Sequence, residues 1–119
     1  MQQIFIELYK YRQAWLDMDA GGREQVAATV RGAMRDLGAA GVEVVGWGFN
    51  DLETDHRAPF DFFCVYKVPS FEFQRGFDQS ISQSGWHELF EQVAASGMIE
   101  SPADILAANV ALERPSPRT

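Results

Sequence analysis

Apolar and polar positions along the chain fall into alternating and helical stretches. Gln3–Tyr11 (QIFIELYKY) alternates, with Ile4, Ile6 and Leu8 on one side and Phe5, Glu7, Tyr9 and Tyr11 on the other, which predicts a first strand. Gln13–Asp19 follows as a short connector of about one helical turn, anchored by Trp15 and Leu16, in which Asp17 or Asp19 can cap the next helix. From Gly22 to Ala39 the apolar positions Val26, Val30, Ala33, Met34 and Leu37 form one helical stripe, closed by Gly38 and Gly41. Val42–Asn50 is read as a second strand, with Val45, Trp47 and Phe49 on one face and Val44, Gly46 and Gly48 on the other. Two glycines on one face leave bare backbone, the mark of a bulky neighbour or ligand close by. A third strand, Phe60–Val68, has Phe60, Phe62, Cys64, Tyr66 and Val68 on one face and Asp61, Phe63, Val65 and Lys67 on the other. The polar loop Asn50–Pro59 between them carries Asp51, Glu53, Asp55, His56 and Arg57.

A second helix starts at the N-cap Ser70, with Phe73, Phe77 and Ile81 on one stripe. Gln83-Ser84-Gly85 breaks its phase, and the spacing of Trp86, Leu89, Phe90 and Val93 predicts that helix resumes as far as Gly97. Ile105–Glu113 (ILAANVALE) is read as a fourth strand, its alanines leaving helix open, and Arg114–Thr119 has the composition of a flexible tail.

The predicted order is β-α-β-β-α-β. It gives the α+β class: a ferredoxin-like unit in one domain over residues 1–113, with a four-stranded antiparallel sheet and both helices on one face. The central strands are apolar on both faces, whereas a strand with one wet face alternates. The uncovered face therefore needs a cover, and in a chain of 119 residues a second copy is the expected one, making a homodimer.

Composition narrows the partners. The formal charge is −7, and the lysines are Lys10 and Lys67 alone. Without a basic cluster, phosphate-driven nucleic acid binding and electrostatic membrane attachment are not expected. No apolar run approaches a membrane span, and the opening MQQIFIELYKY lacks the pattern of a signal peptide. A single cysteine, Cys64, excludes an internal disulfide and fits a reduced, cytoplasmic protein.

The strand opening at Gln3, VEVVGWGFND (Val42–Asp51), HRAPFDFFCVYKVP (His56–Pro69) and GWHELFEQV (Gly85–Val93) together resemble the dimeric α+β-barrel superfamily, and within it a group of small uncharacterised bacterial proteins. The resemblance covers Gln3 to about Glu113 and implies two sheets packed face to face. That superfamily includes cofactor-free monooxygenases acting on aromatic polyketides, small isomerases, haem enzymes and proteins of no assigned activity, so fold membership alone leaves function open.

Three residues are candidates for chemistry. His56 sits beside Asp55 in the polar loop and could serve as a base, or equally as a solvated turn residue. Asp61, and with it Glu7, is a carboxylate within a strand, where burial beside rings would raise its pKa and suit it to proton transfer, whereas a place in water at a sheet edge would leave it inert. His87 follows Trp86 and could face a pocket as a base, act as the proximal ligand in a haem relative, or stand on a helix surface. Glu7, Tyr9, Trp47, Phe49, Phe62, Tyr66 and Trp86 are the candidate walls of a pocket for a small apolar or aromatic molecule. The same rings serve a core or a dimer interface equally well. No metal-ligand spacing is present, and neither a metal nor a cofactor is expected. Three functions follow: cofactor-independent chemistry of a monooxygenase or isomerase kind, a non-catalytic dimeric binding or assembly module, and, third, a haem protein.

Overall fold

The computed structural model describes residues 2–112. Its elements are β1 (Gln3–Tyr11), α1 (Gln13–Asp17), α2 (Ala20–Ala39), β2 (Glu43–Phe49), β3 (Phe62–Val68), α3 (Phe71–Gln83), α4 (Trp86–Leu89), β4 (Phe90–Met98) and α5 (Pro102–Val110). The four strands form one antiparallel sheet in the order β2-β3-β1-β4. The fold is α+β.

Local chemistry accounts for most of the boundaries. Asp19 caps α2 by accepting from the Gly22 amide at 2.7 Å, and Ser70 caps α3 by accepting from the Phe73 amide at 3.1 Å. In α1 only Trp15 anchors, its ring against Phe90 at 4.9 Å, while Leu16 is exposed. Gly85 adopts φ 84°, a left-handed turn suited to glycine, and this separates α3 from α4. Asn50 closes the β2–β3 connection, its side-chain amide donating to the carbonyls of Ala58 and Phe60.

The structure corrects the C-terminal third of the sequence reading. Helix does not resume to Gly97: α4 is a single turn, and the chain then enters β4, which pairs with β1 from Tyr11↔Phe90 to Gln3↔Met98. The fourth strand is therefore Phe90–Met98, and Ile105–Val110, expected as strand, belongs to α5. Trp86, Leu89, Phe90 and Val93 share a helical spacing only because the chain changes period between Leu89 and Phe90. The expected tail at 114–119 lies outside the described residues, as does Glu113. A second correction concerns β2. A bulge between Val44 and Gly46 breaks the alternation, so Val44 (opposite Tyr66), Trp47 (opposite Cys64) and Phe49 (opposite Phe62) share one face.

Directly paired residues of antiparallel strands share a face. On the helix-covered face lie Phe5, Glu7, Tyr9, Cys64, Tyr66, Val68 and Phe90, all buried, with Met34, Leu37, Phe73, Phe77 and Trp86 packed onto them. Both long helices, α2 and α3, therefore sit on one side of the sheet. The opposite face presents Ile4, Ile6, Leu8, Phe63 and Val65, half-buried, with Val93 and Ala95 exposed beside them. Gly48 belongs to this open face, and the Phe63 ring lies over it: a Cβ there would meet Phe63 Cζ at 2.7 Å. The close neighbour expected from the bare backbone of β2 is thus a cross-strand ring at Gly48, whereas at Gly46 nothing lies within 4 Å of where a Cβ would stand.

Candidate functional site

Between α2, α3 and the sheet the packing is incomplete. None of the residues of α2 is buried, and its stripe of Val26, Val30, Met34 and Leu37 overhangs a cleft of about 860 Å³. The floor of this cleft includes Glu7, Tyr9, Cys64 and Tyr66, and Phe73, Phe77 and Leu89 help form its sides. A second cleft of about 620 Å³ adjoins it towards the end of β2, walled by Trp15, Phe49, Phe62 and Phe90. Trp47 and Trp86 line both. The smaller cleft is almost wholly apolar; the larger is mostly apolar, with Thr29, Asp36, Glu72, Ser80 and Ser84 joining Glu7 in its lining, the pattern of a small-molecule site.

Glu7 is the singular feature of the floor, 1% exposed among aromatic rings. Its alternation with Phe5 and Tyr9 places it on the helix-covered face, so β1 itself delivers a carboxyl into the core. The Tyr9 hydroxyl donates to Glu7 Oε2, and Gln92 Nε2 donates to the same oxygen at 3.0 Å. Burial pushes the Glu7 carboxyl from 4.5 up to about 7; the Tyr9 hydrogen bond opposes this rise and the charge of Asp78 adds to it. Burial, then the neighbouring Glu7, hold the Tyr9 hydroxyl well above its usual range. The Cys64 thiol is pushed up to about 12, chiefly by burial and then by Glu7, so it is a buried small hydrophobe and not a thiolate. The indole Nε1 of Trp86 is buried without a hydrogen-bond partner among the described residues.

The sequence candidates divide by place. Glu7, Tyr9, Trp47, Tyr66 and Trp86 meet in the larger cleft, and Trp47, Phe49, Phe62 and Trp86 in the smaller. His56, Asp61 and His87 line neither. His56 is exposed in the β2–β3 connection at φ 64°, in a turn where Asp51 accepts from the Glu53 amide and the Thr54 hydroxyl. Those bonds, the Thr54 one first, hold the Asp51 carboxyl below its ordinary range, so it serves the turn and not His56. Asp61 extends the sheet: its carboxylate accepts from the Tyr11 amide at 2.9 Å and its own amide donates to the Tyr9 carbonyl at 2.7 Å. With neither histidine in a cleft wall, a haem placed in either would find no histidine ligand from the described residues.

His87 nevertheless reaches the site through a residue that the sequence reading missed. Its Nε2 lies 2.6 Å from Gln92 Oε1, and Gln92 Nε2 donates to Glu7, which requires the hydrogen on His87 Nε2. Gln92 stands opposite Tyr9 on β4, and alternation from Phe90 is the signal that would have found it. His87→Ala is expected to leave stability within about 0.5 kcal/mol, because the side chain is exposed. It should also release Gln92 and raise the Glu7 pKa further, since a donor lost from the carboxylate favours the neutral form. A pH titration of the Glu7 carboxyl by carbon-13 NMR in both proteins checks this.

Among the described residues no three His, Cys, Asp or Glu side chains converge as a metal site, and no helix is long and apolar enough to cross a membrane. A family model described as a family of unknown function, DUF6616, matches residues 2–112. The chain belongs to this family. The match includes every element from β1 to α5, so β4 and α5 are part of the DUF6616 unit. No curated protein and no solved structure matches.

Proposed function

We propose that this DUF6616 chain is a homodimeric small-molecule protein with cofactor-independent proton-transfer chemistry of an isomerase-like kind. Its ligand is an apolar or aromatic compound bearing a carbonyl or hydroxyl, held in the larger cleft. One observation carries the reading: a buried carboxyl poised at about 7 forms part of the floor of an apolar cleft. Such a group both accepts and returns a proton at neutral pH, which an ordinary surface glutamate does poorly. Tyr9 and Gln92 fix the carboxyl from one oxygen. On a small turn of its ring toward the cleft, the Trp86 N–H, buried and without a partner among the described residues, would become a donor for a ligand oxygen, where negative charge develops when a neighbouring C–H or O–H loses its proton to Glu7.

The strand order β2-β3-β1-β4, with α2 and α3 on one face, supports a ferredoxin-like unit, and the apolar open face supports a pair of copies meeting sheet to sheet as in a dimeric α+β barrel. A second reading, binding without chemistry, is favoured by one fact: His56, Asp61 and His87 do not converge on the cleft.

Thermal unfolding with 1-naphthol and 1,4-naphthoquinone tests both readings. Saturable stabilisation is expected, rising with ligand as mass action requires, and weakened about tenfold in affinity for the naphthol by Glu7→Gln. Binding that Glu7→Gln leaves unchanged would favour the module without chemistry. No shift from either probe would sink the ligand reading altogether.

A further inference from the structure

The C-terminal helix is the least explained part of the chain. Every residue from Met98 to Leu112 is exposed, although Ile99, Ile105, Leu106, Val110 and Leu112 are large and apolar. Yet α5 is specified locally as a helix. The Ser101 hydroxyl accepts from the Asp104 amide at 3.1 Å, and Pro102 stands at the start. Asn109, a polar residue of the second half, returns its amide to the Ile105 carbonyl at 2.8 Å. Apart from the Asp104 carboxylate in its first turn, the surface of the helix is largely aliphatic. Nine residues are too few for a helix to persist alone in water, and a helix apolar around most of its circumference is normally a buried one.

We propose that α5 is an exchanged arm: in a two-fold pair of this chain, the α5 of each copy packs on the other copy beside the open sheet face. This rests on the reading that two copies meet through that face, and it adds the element that completes the contact. Two observations select a second copy as the occupant.

The first is charge. The chain carries −7, so two copies repel wherever their acids meet, but α5 bears only Asp104, in its first turn, and the centre of the open face (Ile4, Ile6, Leu8, Phe63, Val65) bears none. The second is area. Four strands of seven to nine residues, about 4.8 Å apart and some 26 Å long on average, offer roughly 500 Å² per copy, or about 1,000 Å² for a pair, short of the ~1,200–2,000 Å² of a stable interface. A nine-residue helix, about 14 Å long and 10 Å across, adds roughly 200–400 Å² per copy, which brings the total into that range. Neither surface suffices alone, and a two-fold axis buries both twice in a closed assembly.

The test is sedimentation across a concentration series on the full chain, with hydrogen exchange over residues 102–110. Wild type is expected to dimerise, and the α5 amides to gain protection as the dimer forms. Leu106→Glu/Val110→Glu should raise the dissociation constant about 100-fold, about tenfold for each apolar anchor lost, while circular dichroism loses no more than the helical signal of α5 itself. Leu106→Ser/Val110→Ser, gentler in charge, should act in the same direction. Ile6→Glu tests the open face separately. A dimer that Ile6→Glu dissociates but both arm variants leave intact would overturn the exchanged arm and keep the sheet-to-sheet pair. A wild-type chain that stays monomeric at every concentration would overturn both.

Discussion

Glu7→Gln is expected to abolish a pH dependence of folding worth about 3 kcal/mol. The native carboxyl titrates near 7 and the unfolded one near 4.5, so the native state binds its proton more tightly. Its contribution to stability is complete below pH 4.5, declines as pH rises and is lost above about 7, where the folded chain must hold a desolvated carboxylate. At 1.36 kcal/mol per pKa unit, a rise of about 2.5 units gives the figure. Urea unfolding from pH 4.5 to 8 is the check: the difference in unfolding free energy between wild type and Glu7→Gln should shift in favour of the variant with rising pH. A difference that stays flat would mean that the carboxyl is not desolvated. The variant also tells function from structure, since an amide keeps the shape and the hydrogen-bonding capacity but cannot exchange a proton.

The largest loss of stability is expected from Phe90→Ala. Phe90 is 2% exposed and is the hub of the aromatic cluster, with ring centroids 4.3 Å from Trp86, 4.9 Å from Trp15, 5.5 Å from Phe62 and 6.1 Å from Tyr9. Truncation removes the transfer free energy of a whole ring and leaves a cavity that the four elements bearing these rings cannot close, at about 3–5 kcal/mol. For a chain of this size that corresponds to a fall in Tm of roughly 12–20 °C. Calorimetry measures it, with Phe49→Ala as the contrast: Phe49 is 82% exposed, and its loss should stay within about 0.5 kcal/mol. Phe90→Ala should also weaken probe binding, because Phe90 supports Trp86, which stands between the two clefts.

How much of this is readable from sequence depends on whether local chemistry or distant pairing decides the element. Strand β1 announces itself by alternation, α2 and α3 by an apolar stripe behind Asp19 and Ser70, and these boundaries agree with the structure to within two residues. Strand β4 does not, because FEQVAASGM has a single β-branched residue and pairs with one neighbour only, so its state is set by β1 and not by its own preference. In α5 a local signal exists, Ser101-Pro102-Ala103-Asp104 as a capped helix start, but the strand reading of ILAANVALE passes over it, although its alanines leave helix open. The bulge at Val45 has no signature in an alternating string, and it moves Val44 to the other face.

The site follows the same division. Glu7 and Tyr9 come from the best-read strand, and two-residue spacing suffices to put them on one face. His56, Asp61 and His87 are candidates by side-chain type, and type does not say where a loop, a strand end or a single helical turn points. Gln92 was hidden because its strand was.

Carbon-13 NMR titration of the Glu7 carboxyl, in the free protein and with saturating 1-naphthol, tests the central claim most directly. A midpoint near 7 that moves when the probe binds is the predicted result. A midpoint near 4.5, unmoved by the probe, would contradict the account: Glu7 would then be a hydrated surface-like carboxylate and not the proton-exchanging floor of a ligand cleft.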